Sequence, residues 1–258
     1  MKETIFQILT DIEKREQVKI FFACESGSRG WGFPSQDSDY DVRFLYIRPP
    51  SWYLSIQKRR DVIERPIDAV LDVSGWDIQK ALQLLWKSNT ALLEWLQAPI
   101  IYQEKHGLME PLRAMIADYF SPAGCLHHFR NMAKRSIQDA ALEDLDLKKF
   151  FYVIRPVLAF QWLQNDWGPA PMDMHIMANR LLQGSNLLPE LMALIEKKRV
   201  SHEHDHVPVP VSLLAYAKQH YERMLETEIP YGKHAGSPEA LDTFFRQALI
   251  EVWGDSIR

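Results

Sequence analysis

Residues 23–44 of this chain read ACESGSRGWGFPSQDSDYDVRF, and their composition differs sharply from that of the residues on either side. Apolar residues occupy positions 20–22 before the stretch and 45–47 after it. The pattern predicts two buried strands joined by a loop rich in glycine, serine and aspartate. Gly27 and Ser28 directly follow the first predicted strand, whereas Asp39 and Asp41 begin the second.

The two aspartates have a spacing that suits cation binding. Because side chains alternate along a strand, the carboxylates of Asp39 and Asp41 point to the same face. Like charges held so close repel each other, and a bound cation relieves that repulsion. Carboxylate oxygens favour Mg²⁺ or Mn²⁺ over zinc, so the sequence predicts one of these two ions as a cofactor.

The remaining parts of the predicted site are a phosphate cradle and a third carboxylate. Gly27 allows a sharp turn, and the Ser28 hydroxyl with nearby N–H groups can hold a phosphate. A two-metal site for phosphoryl transfer takes a further carboxylate from an adjacent strand. Asp72 is the first candidate because it lies at the end of a third predicted strand, roughly 67–73, and Asp68 is the alternative on the same face.

Length and composition indicate an ordinary globular protein with no broad affinity for polyanions. The chain has 258 residues, a formal net charge of −4 and 47% hydrophobic residues. This is enough for one large domain or two modest ones, and the charge excludes a global basic field for nucleic acid. Two cysteines, Cys24 and Cys125, are too few for a disulfide framework, so we expect a reducing, cytoplasmic location. No apolar run approaches the length that spans a bilayer, so we expect no membrane span.

The hydrophobic pattern changes along the chain. Residues 1–104 combine helical periodicity with short strand-like runs, whereas residues 105–258 show helical periodicity almost throughout. We therefore predict an α+β catalytic domain over 1–104 and an all-helical domain over 105–258.

The opening stretch also resembles a known signature. Gly27-Ser28, ten intervening residues and Asp39-x-Asp41 resemble the pattern of the DNA polymerase β-type nucleotidyltransferase superfamily. The longer strings ESGSRGWGF, DSDYDVRF, DVSGWDIQKAL, SNTALLEWL and KKFFYVIRPVLAFQW are similar to a narrower group. That group comprises bacterial and phage nucleotidyltransferases associated with RNA repair, also called the RNA-ligase-associated polymerase family.

The resemblance implies a fold and a reaction. The fold would be a polymerase β-like mixed sheet with helices, followed by a helical domain. The reaction would move a nucleotide from a nucleoside triphosphate, ATP among them, to an acceptor hydroxyl, with an RNA 3′ end as the leading acceptor. Two rival interpretations are transfer to a small molecule or protein side chain, and an inactive nucleotide-binding module.

Basic residues elsewhere supply further candidates for nucleotide binding. We predict contacts from Arg29 in the loop and from Lys149 and Arg155 in a later helix. Arg155 lies in an apolar run, where a charged side chain needs a partner. A solvated helix face paired with nearby acids is an equally good interpretation of Lys149.

Three other features have less specific patterns. His127, Arg130 and Lys134 share one helix face, which suits either RNA or plain solvent. The run His202–His206 resembles metal ligands, but the prolines near it favour a solvated loop. Either Trp31 or Phe33 can serve as a stacking surface for a base. The sequence does not indicate the base preference or the oligomeric state.

Overall fold

Five strands form one mixed sheet in the order β3-β4-β2-β1-β5. They are β1 (Lys19–Glu25), β2 (Tyr40–Ile47), β3 (Val62–Glu64), β4 (Leu71–Asp77) and β5 (Ile101–Glu104). The computed structural model describes residues 1–57, 59–65, 70–137, 146–202, 205, 207–230, 232 and 236–254. In this sheet β2 and β4 are parallel, and the other paired strands are antiparallel.

Helices make up most of the rest of the described chain. In chain order they are α1 (Lys2–Glu16), α2 (Gly27–Gly30), α3 (Pro50–Tyr53), α4 (Ile78–Trp86), α5 (Thr90–Leu96), α6 (Met109–Ala114), α7 (Ile116–Tyr119), α8 (Pro122–Ile137), α9 (Leu147–Gln164), α10 (Met174–Leu181), α11 (Leu187–Val200), α12 (Val211–Glu226) and α13 (Pro238–Trp253). The predicted α+β class, with a mixed sheet followed by helices, is confirmed.

The chain folds into two units that are each discontinuous in sequence. The first unit contains Met1–Gly27, Asp39–Phe120 and His234–Arg258, and it includes the whole sheet. The second unit contains Ser28–Ser38 and Ser121–Lys233. This division differs from the predicted boundary at residue 104, because α13 packs on α4 in the first unit and residues 28–38 pack among the later helices.

The core of the first unit forms between α1 and the sheet. Ile5, Leu9 and Ile12 of α1 are buried against apolar side chains of β1 and β2. Phe44 of β2 pairs in register with Gly75 of β4, and a Cβ atom at Gly75 would lie 2.1 Å from the Phe44 ring. The glycine therefore makes room for a large ring in the middle of the sheet.

The third predicted strand is displaced from its observed position. The residue pattern placed it at roughly 67–73, whereas β4 spans Leu71–Asp77, and the short strand β3 was not predicted at all. Asp77, the last residue of β4, also caps α4 by accepting a hydrogen bond from the Gln79 N–H. Strand and helix thus meet without a loop, a junction that hydrophobic periodicity does not reveal.

Two expectations concern the rest of the chain. Within the ranges that the structure describes, no helix is both long enough and apolar enough to cross a membrane. The run His202–His206 lies partly outside the described residues, so its interpretation as a solvated loop and not a metal site stays a prediction.

Candidate active site

The parallel pairing of β2 and β4 brings two of the predicted carboxylates together. Asp41 and Asp72 are partners in register at the start of the two strands. Both side chains are a little over one quarter exposed, at 28% and 29%. The site thus forms at one edge of the sheet, from residues that lie more than thirty positions apart in sequence.

Arg43 bridges the two carboxylates. Its Nη2 donates to Asp41 Oδ1 at 2.9 Å and to Asp72 Oδ2 at 2.7 Å. Nη1 of the same guanidinium donates to the Asp72 carbonyl at 3.1 Å. Because Arg43 is two residues after Asp41 on the same strand, alternation places it on the carboxylate face. We call Asp41, Arg43 and Asp72 the carboxylate edge.

The surroundings of Asp41 disfavour its ionised form. Burial raises the pKa of the Asp41 carboxyl above its ordinary value, and the charges of Asp72 and Asp39 raise it further. The guanidinium of Arg43 opposes this rise in pKa. A carboxylate cluster of this kind gains stability from an added positive charge, since each negative charge disfavours the others.

Glu25 is a site residue that was not predicted from the sequence. It ends β1, is fully buried, and accepts a hydrogen bond through Oε1 from the Asp41 N–H at 2.7 Å. Its Oε2 accepts a hydrogen bond from the Tyr102 hydroxyl of β5. The Ser26 N–H donates to the Asp41 carbonyl at 2.8 Å, so both backbone groups of Asp41 are held. A glutamate directly after the apolar run 20–24 was the available signal.

Gly27 faces the same carboxylate. Its φ is +54°, and a Cβ atom at this position would lie 1.8 Å from Asp41 Oδ2. Only glycine has both the conformational freedom and the small size that this position needs. The structure thus brings Gly27 together with Asp41 and Asp72 in the first unit.

The next residues of the predicted phosphate loop belong to the second unit. The Ser28 carbonyl accepts a hydrogen bond from the Phe33 N–H at 3.0 Å. Arg29 donates from Nε and Nη2 to the Ser38 carbonyl at 3.2 Å and 2.8 Å. These bonds fold residues 28–38 into a closed loop, which we call the 28–38 segment.

Aromatic rings attach the 28–38 segment to the helices of the second unit. Phe33 is fully buried and stacks on Phe151 of α9, with ring centroids 4.7 Å apart. Trp31 meets Tyr152 of α9 edge to face at 5.6 Å, and its carbonyl accepts a hydrogen bond from the Met174 N–H. Phe33 is therefore a core residue, whereas Trp31 is only partly buried and stays a candidate for base stacking.

The two predicted nucleotide contacts on α9 differ in their surroundings. Arg155 is 1% exposed, and its guanidinium lies 4.4 Å from the centre of the Trp31 ring. Its Nη2 donates to the Met172 carbonyl at 3.4 Å. Lys149 is exposed near the start of α9, with Nζ 3.8 Å from Asp146. Nucleotide contact by either residue stays a prediction, and Arg155 also has a clear packing role.

Among the described residues, Asp39 does not join Asp41 and Asp72 in a cluster spaced to hold a metal ion. Asp39 is exposed and acts on Asp41 through its charge. Asp68 lies outside the described residues. Among the residues that the structure describes, no group of three or more histidine, cysteine, aspartate or glutamate side chains is spaced to hold a metal ion. The carboxylate edge is thus a two-acid site.

The family comparison agrees with the resemblance in sequence. Residues 1–247 match the model of a family described as "RNA repair pathway DNA polymerase beta family". The chain is 41% identical, over 99% of each chain, to the "Uncharacterized protein YcgL" of Bacillus subtilis (strain 168). A solved nucleotidyltransferase-like protein from Exiguobacterium sibiricum 255-15 is similar over 96% of this chain and 88% of that one, with 14% identity and a TM-score of 0.33. The family match spans most of the sequence, including the carboxylate edge, and the chain therefore belongs to the RNA repair pathway DNA polymerase beta family of nucleotidyltransferases.

Proposed function

We propose that this protein moves a nucleotide from a nucleoside triphosphate to an acceptor hydroxyl, with an RNA 3′ end as the acceptor and pyrophosphate as the leaving group. The observation that carries the proposal is the convergence of the Asp41 and Asp72 carboxylates on one nitrogen, Nη2, of the positively charged Arg43 guanidinium. Paired carboxylates at the starts of adjacent strands suit a divalent cation, which would neutralise the negative charge of the phosphates during transfer.

The residues of the carboxylate edge fit Mg²⁺ or Mn²⁺ in the chemistry of their donors. The two acids, Asp41 and Asp72, offer carboxylate oxygens alone, and one oxygen of each already points to the guanidinium of Arg43. Mg²⁺ is commonly bound by one or two carboxylates together with substrate phosphates and water, so a two-acid site is sufficient. Asp41 and Asp72 would hold the ion after Arg43 releases them, and the exposed Asp39 would have to turn toward the ion to serve as a third ligand. The bound metal would supply charge neutralisation at the phosphates.

The protein's own residues would position the reacting groups. Gly27 would let the backbone approach the triphosphate closely, and the Ser28 hydroxyl would donate a hydrogen bond to a phosphate oxygen. Glu25 would hold the backbone of Asp41 and so fix the direction of its carboxylate. Precise placement of the reacting groups matters for the rate of transfer, since a displacement of about 1 Å can lower a rate roughly a hundredfold.

The chemical step would be an in-line substitution at the α-phosphorus. The acceptor oxygen forms a new bond to phosphorus, and the bond between the α-phosphorus and the pyrophosphate oxygen breaks. The acceptor proton passes to a carboxylate such as Asp72 or to water. Atoms and charges balance with pyrophosphate as the second product.

The choice of RNA as the acceptor is supported by the family description and by the charge of α8. Residues 122–137 contain three arginine or lysine residues and two histidines but no aspartate or glutamate. His127 and Lys134 are exposed on this helix, and Arg130 Nη1 donates to the Thr227 carbonyl at 3.0 Å. Such a face attracts phosphates locally even though the whole chain is acidic. A cytoplasmic location completes the proposal, in keeping with two cysteines that form no disulfide.

The experiment is a transfer assay with several acceptors. The protein is incubated with Mg²⁺, each α-labelled nucleoside triphosphate in turn, and single-stranded RNA, a protein mixture or small alcohols. We expect label to appear on the RNA 3′ end and to be lost with Asp41→Asn, whereas Asp11→Asn on the exposed face of α1 is the matched control. Label on a protein or small molecule would replace RNA as the acceptor. No transfer to any acceptor would overturn the proposal.

A further inference from the structure

Two adjoining cavities run along the outer face of α4 in the first unit. The larger has a volume of about 610 Å³ and lies between α4 and α13. The smaller has a volume of about 420 Å³ and lies between α4 and the segment from α3 to β3. Gln79 and Gln83, one turn apart on α4, line both cavities. We call the continuous depression the α4 groove.

One end of the α4 groove is basic. Arg59, Arg60 and Lys80 line the smaller cavity together with Trp52. The guanidinium of Arg59 lies 4.2 Å from the centre of the Trp52 ring, and among the described residues no carboxylate is within ion-pair distance of it. A guanidinium held against an aromatic ring remains available to an anion on its other side.

The acids near this end are weak competitors for the cations. Lys80 pairs with Asp61 at 3.2 Å, and Arg60 pairs with Glu64, whose side chain is 55% exposed. Exposed pairs of this kind contribute little, so a phosphate can replace the carboxylate. Asp77 is 3% exposed, and its two oxygens accept hydrogen bonds from the Gln79 N–H and the Tyr53 hydroxyl.

The other end of the groove is mainly aromatic and apolar, with Lys87 and Asp242 as its charged lining residues. Trp86 and Phe245, both partly buried, line the larger cavity with Leu82 and Leu241. The Phe245 ring meets Tyr53 edge to face at 4.9 Å, which fixes its position at the junction of the two cavities. Partly exposed aromatic rings beside cations are the combination that binds single-stranded nucleic acid, by base stacking and phosphate contact.

The α4 groove is separate from the carboxylate edge and lies at the opposite end of β4. Asp72 lies near the start of β4 and Asp77 at its end, and α4 follows directly. Five residues of strand correspond to about 17 Å. A strand of RNA that reaches from the groove toward Asp72 would therefore have its 3′ end a few nucleotides from the part held in the groove.

We propose that the α4 groove binds a single strand of RNA, with phosphates at Arg59, Arg60 and Lys80 and bases against Trp86 and Phe245. This inference rests on the proposed function for its choice of RNA. An acidic peptide would satisfy the cations but would leave the aromatic end without a stacking partner.

The first test replaces the exposed cations and measures binding without triphosphate. A fluorescent single-stranded RNA of about twelve nucleotides is titrated with the protein at several salt concentrations, and affinity is read from fluorescence anisotropy. Arg59→Ala combined with Arg60→Ala should reduce the log–log salt slope by about 1.4, at roughly 0.7 for each phosphate that is no longer neutralised. Lys14→Ala combined with Arg15→Ala on α1 removes the same charge elsewhere and should leave the slope unchanged.

The second test changes the charge at the junction without changing the fold. Gln83 is exposed in the middle of α4, so Gln83→Lys and Gln83→Glu keep the helix intact. Because one phosphate of the RNA would lie close to the new charge at position 83, Gln83→Lys should tighten RNA binding about threefold and Gln83→Glu should weaken it about threefold. The same substitutions at exposed Gln7 on α1 are the control and should have no effect.

Several outcomes would overturn the inference. These are an unchanged slope in the Arg59 and Arg60 variant, equal effects at Gln83 and Gln7, no RNA binding by the wild-type protein, and equal binding of polyglutamate. The proposed function fails separately. RNA binding that depends on the groove, with no nucleotide transfer to any acceptor, would leave the groove standing and refute the transfer reaction.

Discussion

The carboxylate edge and the 28–38 segment are neighbours in sequence but are held in place by different means. Asp41 is fixed by bonds within the sheet, namely the Glu25 carboxylate and the Ser26 N–H. The 28–38 segment is fixed by helices that come more than a hundred residues later, above all by the stacking of Phe33 on Phe151. A signature that is continuous in sequence thus spans two structural units, and each half depends on a different core.

The largest effect is expected from Phe33→Ala, which tests whether the second unit holds the 28–38 segment. Removing a fully buried ring should lower the free energy of unfolding of the second unit by about 3–5 kcal/mol. Hydrogen exchange should accelerate at residues 28–38 and in α9, while β1 and β2 remain protected. Phe33→Leu keeps most of the volume and should cost about 1.5 kcal/mol or less. Equal loss of protection in β2 would contradict the division between the two regions.

The second prediction concerns the junction of the two regions at Gly27. Gly27→Ala places a methyl group 1.8 Å from Asp41 Oδ2 unless the backbone moves. We expect transfer activity to fall by about a hundredfold, because the backbone at position 27 and the Asp41 carboxylate must move apart. Gly107→Ala is the matched control, since Gly107 has a φ of +63° but no atom within 4 Å of its added Cβ. Equal losses for both variants would mean that backbone strain, and not the contact with Asp41, is responsible.

The third prediction tests the bonds within the sheet. Glu25→Ala leaves the Asp41 N–H buried without its acceptor and should lower stability by about 1–3 kcal/mol. Transfer activity should fall at least about tenfold through a lower kcat, because Asp41 loses its fixed direction. Glu25→Gln retains an acceptor for the Asp41 N–H, so it should restore most of the activity. If Glu25→Gln is as inactive as Glu25→Ala, the charge of Glu25 matters and not its hydrogen bonds.

The smallest effect is expected at Asp77, at the far end of β4. Burial raises the pKa of Asp77 from 3.8 to about 6, so the folded state binds this proton more tightly than the unfolded state. Stability should therefore decrease as the pH rises from about 4 to about 6. Asp77→Asn keeps the cap on α4 and should flatten the dependence of stability on pH. The free energy of unfolding at pH 7 should change by only about 1 kcal/mol, because the gain from removing a buried charge is offset by a weaker hydrogen bond to Tyr53. Urea denaturation at several pH values measures the free energy of unfolding of both proteins. An unchanged dependence on pH in Asp77→Asn would assign the effect to another group.

The sequence predicted the parts of the site that depend on local spacing. The apolar run after it was enough to place Asp41 at the start of a strand, with Asp39 just before that strand, and the resemblance to a known signature pointed to the family. The pairing of Asp41 with Asp72 also followed from the expectation that an adjacent strand supplies a carboxylate. These inferences use periodicity and short-range order, which a single sequence records directly.

Other features depend on contacts that no local pattern encodes. The role of Glu25 requires knowing that Tyr102 of β5 lies beside β1. The bridging position of Arg43 requires the register of β2 and β4, since a shift of one residue would turn it to the opposite face. Arg155 was expected to need a partner, but that this partner is the Trp31 ring follows only from the packing of α9.

The discontinuous order of the two units has a consequence for how the protein is made. A ribosome releases the chain from its N-terminal end, and domains generally fold as units once their residues have emerged. Here the first unit lacks α13 until residues 238–253 have been synthesised, and residues 28–38 lack their packing partners in α9 and α10 until those helices have been made. The side of α4 that α13 covers and the buried ring of Phe33 therefore stay uncovered until most of the chain has been made, so both units complete their folding only late in synthesis.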